Sequence, residues 1–377
     1  MTRKATVITA GAIVAAGACA AGGYAVLGNH QARAQARTAP VAVRHHATVP
    51  PQPPRPLRLV SVTPADGSRG VDGAGTITVT FSKPLPASAA LPRLSPAIAG
   101  SWQRAGDIVV FTPQAGFTAG TRVTVTVPEG ASAARSGYKS TFTTASYSML
   151  RLQEMLAQLG YLPVTWTPAV GAAIPAGSAA AQLAAAYEPP PGTFGWQGGY
   201  PARLRSFWAQ GRANLLDKGA IMGFEADHGM AVDGVAGHDV WAALLKAAAA
   251  GQRNKHGYSY AIASQGSPET LTIWHDGRQV LRTLANTGIS VAPTPVGTFP
   301  VYEKLPFQVM QGTNPDGSHY ADPVQWVSYF SGGSAVHYIG RWSYGWPQSL
   351  GCVEVPYSAA AEAYPYLSYG TLVTVTP

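Results

Sequence analysis

The stretch that most constrains the fold is Val49-Pro-Pro-Gln-Pro-Pro-Arg-Pro56, with 5 prolines in eight positions. Proline fixes φ and removes a backbone donor, so neither a helix interior nor a central strand crosses this run. It reads as an extended polyproline spacer, and residues 30–57 as a Pro/Ala-rich linker. On its N-terminal side, Arg3 and Lys4 precede an uncharged run over residues 5–27. A basic start followed by an apolar stretch is an export signal. The run is Ala/Gly-rich yet reaches spanning length, so residues 1–29 read as a signal peptide or a membrane anchor. Ala34-Gln35-Ala36 offers a cleavage site. The rest of the chain is then expected outside the cytoplasm, where Cys352 is the only remaining cysteine and no intrachain disulfide framework exists.

A chain of 377 residues holds two or three domains. Only 12% of residues are charged, while 42 are Gly and 31 are Pro, which favours β modules joined by stiff connectors. Residues 58–145 carry β-branched, alternating runs at Leu59-Val-Ser-Val-Thr63, Gly75-Thr-Ile-Thr-Val-Thr-Phe81, Asp107-Ile-Val-Val-Phe-Thr112 and Thr121-Arg-Val-Thr-Val-Thr-Val127. Pro64-Ala-Asp-Gly67 is a turn, with Pro presetting φ and Gly accepting a positive one. Thr63-Pro-Ala-Asp-Gly67 and Thr80-Phe-Ser-Lys-Pro-Leu85 resemble bacterial Ig-like domains, which implies a β-sandwich. With no His or Cys, it reads as a spacer, with weak ligand binding as the alternative.

Residues 146–257 change period. Leu152, Leu156 and Leu159 share a helix face that ends at Gly160, and two further helices fall near residues 218–228 and 238–249. Leu152-Gln153 with Leu156, together with Gly223-Phe-Glu and His228-Gly-Met-Ala-Val-Asp-Gly-Val-Ala-Gly237, resemble a peptidoglycan-binding module of three helices. Residues 163–205 interrupt it as an insertion. Trp166, Trp196, Tyr200 and Trp208 pack helices or stack on sugars. His228 and His238, near Glu225, Asp227, Asp233 and Asp239, lack tight metal-ligand spacing and read as solvated loop and cap residues.

Residues 258–377 return to strands, with a hairpin turn at His275-Asp-Gly-Arg278. Residues 307–324 lack apolar periodicity and read as a long mobile loop of the kind that covers active sites; His319 in it reads as exposed. Ser334-Ala-Val-His-Tyr338 then leads to Ser349-Leu-Gly-Cys-Val-Glu354. A thiol needs to lose its proton to act as a nucleophile, and an imidazole can take it, so Cys352 and His337 are the candidate catalytic pair. Backbone N–H groups around Gly351 and Cys352 are candidate oxyanion donors. The alternative is a buried structural cysteine.

His337, followed by Ser349-x-Gly-Cys352 and preceded by Thr294-Pro-Val-Gly-Thr-Phe299, resembles the L,D-transpeptidase (YkuD-like) catalytic family over residues 258–377. The expected fold is therefore multidomain and mainly β: an Ig-like β-sandwich, a small α-helical peptidoglycan-binding-like bundle, and a mostly-β catalytic domain. The resemblance implies acyl transfer in the cell wall. Cys352 forms a thioester with a tetrapeptide stem, releasing D-alanine, and a diamino acid side-chain amine resolves it into a 3→3 cross-link. It implies Ser349, Gly351 and Tyr338 as substrate-binding or oxyanion residues, peptidoglycan stem peptides as partners, and β-lactams such as carbapenems as inhibitors. No metal or other cofactor is implied. A hydrolase on the same scaffold (carboxypeptidase or endopeptidase) and a non-catalytic wall-binding protein are the alternatives. Two positions depart from the family: Leu350 stands where it commonly has His, and Glu354 where it commonly has Asn or Arg. Glu354 reverses a charge and is expected to raise the thiol pKa. Lys and Arg number 4 against 7 Asp and Glu in this domain, and 6 against 0 in residues 1–57. No dense basic face exists, which speaks against nucleic acid, while the basic N-terminal segment suits association with an anionic membrane or wall polymer.

Overall fold

The computed structural model describes residues 56–377 except 115, 130–136, 174 and 176. The expected targeting segment, its cleavage site and nearly all of the linker lie outside the described residues.

Seven strands form the first domain: β1 (Leu59–Thr63), β2 (Ile77–Phe81), β3 (Arg93–Ser95), β4 (Gly100–Ala105), β5 (Ile108–Pro113), β6 (Arg122–Val127) and β7 (Tyr138–Thr143). They build an antiparallel sheet β1-β2-β5-β4 and a second sheet β3-β6-β7. Alternation sets the faces: Ile77, Val79 and Phe81 from one sheet and Val123, Val125 and Val127 from the other fill a shared core. Phe117 meets Phe142 edge-on at 5.7 Å.

The middle segment holds α1 (Met149–Leu159), β8 (Val164–Pro168), α2 (Ala179–Tyr187), β9 (Gly192–Trp196), α3 (Ala202–Arg205), α4 (Leu215–Asp227) and α5 (His238–Ala249). Gly160 ends α1 at φ 85°, a left-handed conformation that favours glycine. Asn214 and Asp217 cap α4 reciprocally. The arrangement is larger than the three-helix bundle expected from the sequence. The presumed insertion supplies a β8–β9 hairpin and α2, because its aromatic residues pack inward. Trp166 is buried, Trp196 and Trp208 lie 6.4 Å apart, and the Tyr200 hydroxyl donates to the Tyr258 carbonyl at 2.8 Å. Leu152, Leu156, Phe224, Trp241 and Leu244 share one core with Tyr258, Tyr260 and Leu372 of the last domain. On the other side, the Tyr187 hydroxyl donates to the Phe117 carbonyl of the Ig-like domain at 3.1 Å. The helices are thus a wedge between two β domains.

The last domain comprises β10 (Ser259–Ser264), β11 (Thr270–His275), β12 (Arg278–Leu284), β13 (Gly297–Pro300), β14 (Glu303–Thr313), β15 (His319–Ser331), β16 (Ser334–Tyr338), β17 (Val353–Val355), α6 (Tyr357–Ala363) and β18 (Leu372–Thr376). One sheet runs β12-β11-β10-β18-β13 and the other β14-β15-β16-β17. Ala261, Ile273 and Val373 from the first and Phe330, Val336 and Val353 from the second share a core with Ala360 of α6. The β11–β12 turn has Asp276 at φ 45° and Gly277 at φ 76°, as a type I′ hairpin needs.

Residues 307–324 are not a long loop. They belong to the β14–β15 hairpin, paired from Glu303↔Tyr329 out to Thr313↔His319. Most of β14 is exposed or half-buried, so no buried face imprinted a period of two on its sequence. The pairing of β15 with β16 breaks register between Gln325 and Ser328, where Trp326 adopts φ 60°. Such bulges bend a strand and re-aim side chains.

Candidate active site

The site rests on the parallel pairing of β16 with β17, in which His337 lies beside Glu354 and Val336 beside Val353. Side chains alternate along a strand, so Cys352 and Glu354 share a face, and His337 joins them. All three line one open groove of about 460 Å³, with the β14–β15 hairpin contributing Gln308, Met310, Tyr320 and Asp322. The structure therefore brings Cys352 and His337 to one groove, as expected from the sequence.

Gly351 precedes the cysteine at φ 106°, a backbone conformation in which any side chain is strained. Ser349 Oγ donates to the Cys352 carbonyl at 2.7 Å and accepts from the Gly351 N–H at 3.2 Å. Thr294 Oγ1 reaches the same carbonyl at 3.2 Å and accepts from the Gly288 N–H at 2.8 Å. The two sequence motifs, more than fifty residues apart, thus meet on the nucleophile's own carbonyl. Ser349 and Thr294 are both buried and brace the turn. Two expectations are corrected here. The Gly351 N–H is committed to Ser349 and is not free for an oxyanion. Tyr338, one residue past His337, faces away from the groove and packs edge-on against Tyr357 at 5.1 Å, because strand alternation sends neighbours to opposite faces.

Burial sets the protonation of the pair. The Cys352 thiol is pushed up to about 11, chiefly by desolvation, against a lowering hydrogen bond from the Ala335 backbone and with a raising effect of Glu354. The His337 imidazole is pushed below its ordinary value by burial, while a hydrogen bond to the Tyr338 backbone and the charge of Glu354 favour its cationic form. His337 Nδ1 is buried without a hydrogen-bond partner, and Cys352 Sγ lies 3.8 Å from the Gly333 carbonyl. Both shifts favour the uncharged thiol and imidazole over an ion pair. The base has lone-pair capacity free, and the thiol's nearest acceptor is only a carbonyl.

Glu354 is nearly fully buried and held from several sides. Arg341 Nε donates to Oε2 at 2.8 Å and Nη2 to Oε1 at 2.5 Å, while Asn286 Nδ2 reaches Oε2 at 3.3 Å. Arg341 is correspondingly raised, first by the hydrogen bond to Glu354. The charge reversal foreseen at Glu354 is therefore largely cancelled, though its raising effect on the thiol persists. Arg341 was missed in the sequence because only the parallel β16–β17 pairing brings it to Glu354, thirteen positions on. Leu350 stands partly exposed in the groove. The other described histidines do not line it. His228 bonds the Phe224 carbonyl at 2.8 Å, His238 contacts Asp239 at 2.9 Å, and His319 sits exposed near Thr313 Oγ1 at 3.4 Å.

A β groove presenting one thiol and one imidazole on adjacent parallel strands has the parts of a cysteine acyl-transfer site. Residues 259–375 match the L,D-transpeptidase catalytic domain (YkuD) family, and residues 53–144 match the bacterial Ig-like domain family. The chain thus carries an L,D-transpeptidase catalytic domain behind an Ig-like domain. Similar solved structures include an L,D-transpeptidase from Mycobacterium smegmatis, at 16% identity over 86% of this chain and 100% of that one, with a TM-score of 0.29. L,D-transpeptidase 3 from Mycobacterium tuberculosis with a faropenem-derived adduct is 16% identical over 85% and 98%, with a TM-score of 0.29. The catalytic domain of the E. faecium L,D-transpeptidase is 28% identical over 31% and 96%, with a TM-score of 0.29. No curated protein matches the chain.

Proposed function

We propose that the chain is a cell-wall L,D-transpeptidase forming 3→3 peptidoglycan cross-links through a Cys352 thioester. The observation that carries this reading is the shared groove of Cys352 and His337, with Ser349 and Thr294 bracing the nucleophile's carbonyl. Sγ attacks the carbonyl of the third stem residue while His337 takes the thiol proton. Collapse of the tetrahedral intermediate breaks the peptide C–N bond, and His337 returns the proton to the departing D-alanine nitrogen. An acceptor amine then displaces the sulfur. Burial pushes the thiol up, so His337 is assigned to take its proton as the sulfur attacks. The work is expected in the cell envelope, outside the cytoplasm, with residues 1–29 as the export or anchoring segment and the Ig-like domain as a spacer. Incubating the protein with a tetrapeptide stem and an acceptor stem tests this. Cross-linked dimer and released D-alanine are expected; tripeptide alone would make it a hydrolase, and unchanged tetrapeptide would remove the enzymatic reading.

A further inference from the structure

The groove is lined by three acidic or basic side chains besides His337 and Cys352: Asp322, Arg341 and Glu354. Arg341 and Glu354 cancel one another through two hydrogen bonds, and burial favours the uncharged form of His337. One negative charge is left over, on Asp322. Register fixes its direction: Tyr320, Asp322 and Val324 alternate along β15 and all line the groove, opposite Gln308 and Met310 of β14. Its carboxylate makes no hydrogen bond or ion pair among the described residues: Arg341 and His337 feel its charge, but the Arg341 guanidinium is bonded to Glu354. Asp322 is half-buried and is not the charge that raises the thiol, which is Glu354. What it does favour is a cation entering the groove.

We propose that Asp322 binds the side-chain ammonium of the acceptor stem peptide, so that the groove admits an amine in preference to water as the group that resolves the Cys352 thioester. This rests on the acyl-transfer reading above. The acceptor arrives as an ammonium and loses one proton to solvent. Its nitrogen lone pair forms the new C–N bond as the C–S bond breaks, leaving the electron pair on sulfur. The second proton passes by way of His337 to the Cys352 sulfur. Asp322 takes no proton in this sequence. Its attraction favours the bound ammonium, so its loss is expected to raise the acceptor KM.

The test uses the full chain carrying Cys352→Ala, titrated by calorimetry with a stem tripeptide whose diamino acid side chain is a free ammonium and with its side-chain N-acetyl counterpart. The ammonium form is expected to bind about tenfold tighter at low salt, and less so as salt screens the charge. Adding Asp322→Asn should remove the preference, and Asp322→Glu should retain most of it. Equal binding of the two ligands, or an unchanged preference in Asp322→Asn, overturns the proposal, as does an equal loss for both ligands, which marks a structural role. If the preference holds while the wild-type protein makes no dimer, the acyl-transfer reading fails and the amine subsite stands.

Discussion

Two Arg–Glu pairs invite comparison. Arg151 and Glu154, one turn apart on α1, are 1% and 0% exposed and lie 3.0 Å apart; Gln182 of α2 completes the set at 2.7 Å from Arg151. Arg341 and Glu354 are 31% and 4% exposed and lie 2.5 Å apart. The first pair joins two helices of the wedge and touches no groove. Burial lowers Arg151 and raises Glu154, each opposed by the partner. The second pair sits beside the thiol, where its role is to cancel charge. The same chemistry is structural where no substrate can reach it and electrostatic where a substrate can.

Breaking each pair should therefore give different phenotypes. The largest effects belong to the groove. Cys352→Ala is expected to abolish turnover, and His337→Ala to lower it on the order of 10²–10⁴-fold, read as the rate of dimer formation with thermal unfolding as the control. Next comes Glu154→Ala, which strands a buried guanidinium and is expected to cost about 3–5 kcal/mol of stability, measured by denaturant unfolding. Arg341→Ala is expected to lower stability less, by about 1–3 kcal/mol, and to slow alkylation of Cys352, because an uncancelled Glu354 raises the thiol further. If Arg341→Ala left alkylation unchanged and Glu154→Ala slowed it, the contrast between the pairs would be reversed. Ser349→Ala removes the brace on the Cys352 carbonyl and is expected to cost about 1–3 kcal/mol, with slower acylation. The smallest effect is expected from Tyr338→Phe, whose ring packs on Tyr357 outside the groove: turnover within about twofold of wild type.

The pH dependence follows from the same burial. His337 must be neutral to accept a proton, and its pKa is depressed, so acylation should rise through a point below the ordinary histidine value and stay flat near neutrality. Simple alkylation of the thiol needs the thiolate and should keep rising toward about pH 11. Coincident profiles would mean a preformed ion pair.

The legible parts of this molecule were those with a one-sided environment. β2 and β6 alternate because one face of each is buried, and α5 was bounded correctly because Trp241 and Leu244 face a core while Asp239 sits in its first turn. Cys352 and His337 were legible as a candidate pair, which the fold brings to one groove, and Thr294 as part of a motif, though its contact with the Cys352 carbonyl was not. The β14–β15 hairpin stayed hidden because much of both strands faces solvent. Arg341 and Asp322 stayed hidden for another reason: their meaning depends on which strands pair, and a single charged residue in a loop or an exposed strand carries no such label.

Acyl transfer in this groove requires the Cys352 sulfur to be the atom that is acylated. Intact-mass spectrometry after exposure to a carbapenem measures this directly. A single covalent adduct mapped to the peptide containing Cys352, absent in Cys352→Ala and slowed in His337→Ala, is the predicted result. An unmodified protein, or an adduct that survives Cys352→Ala, would contradict it.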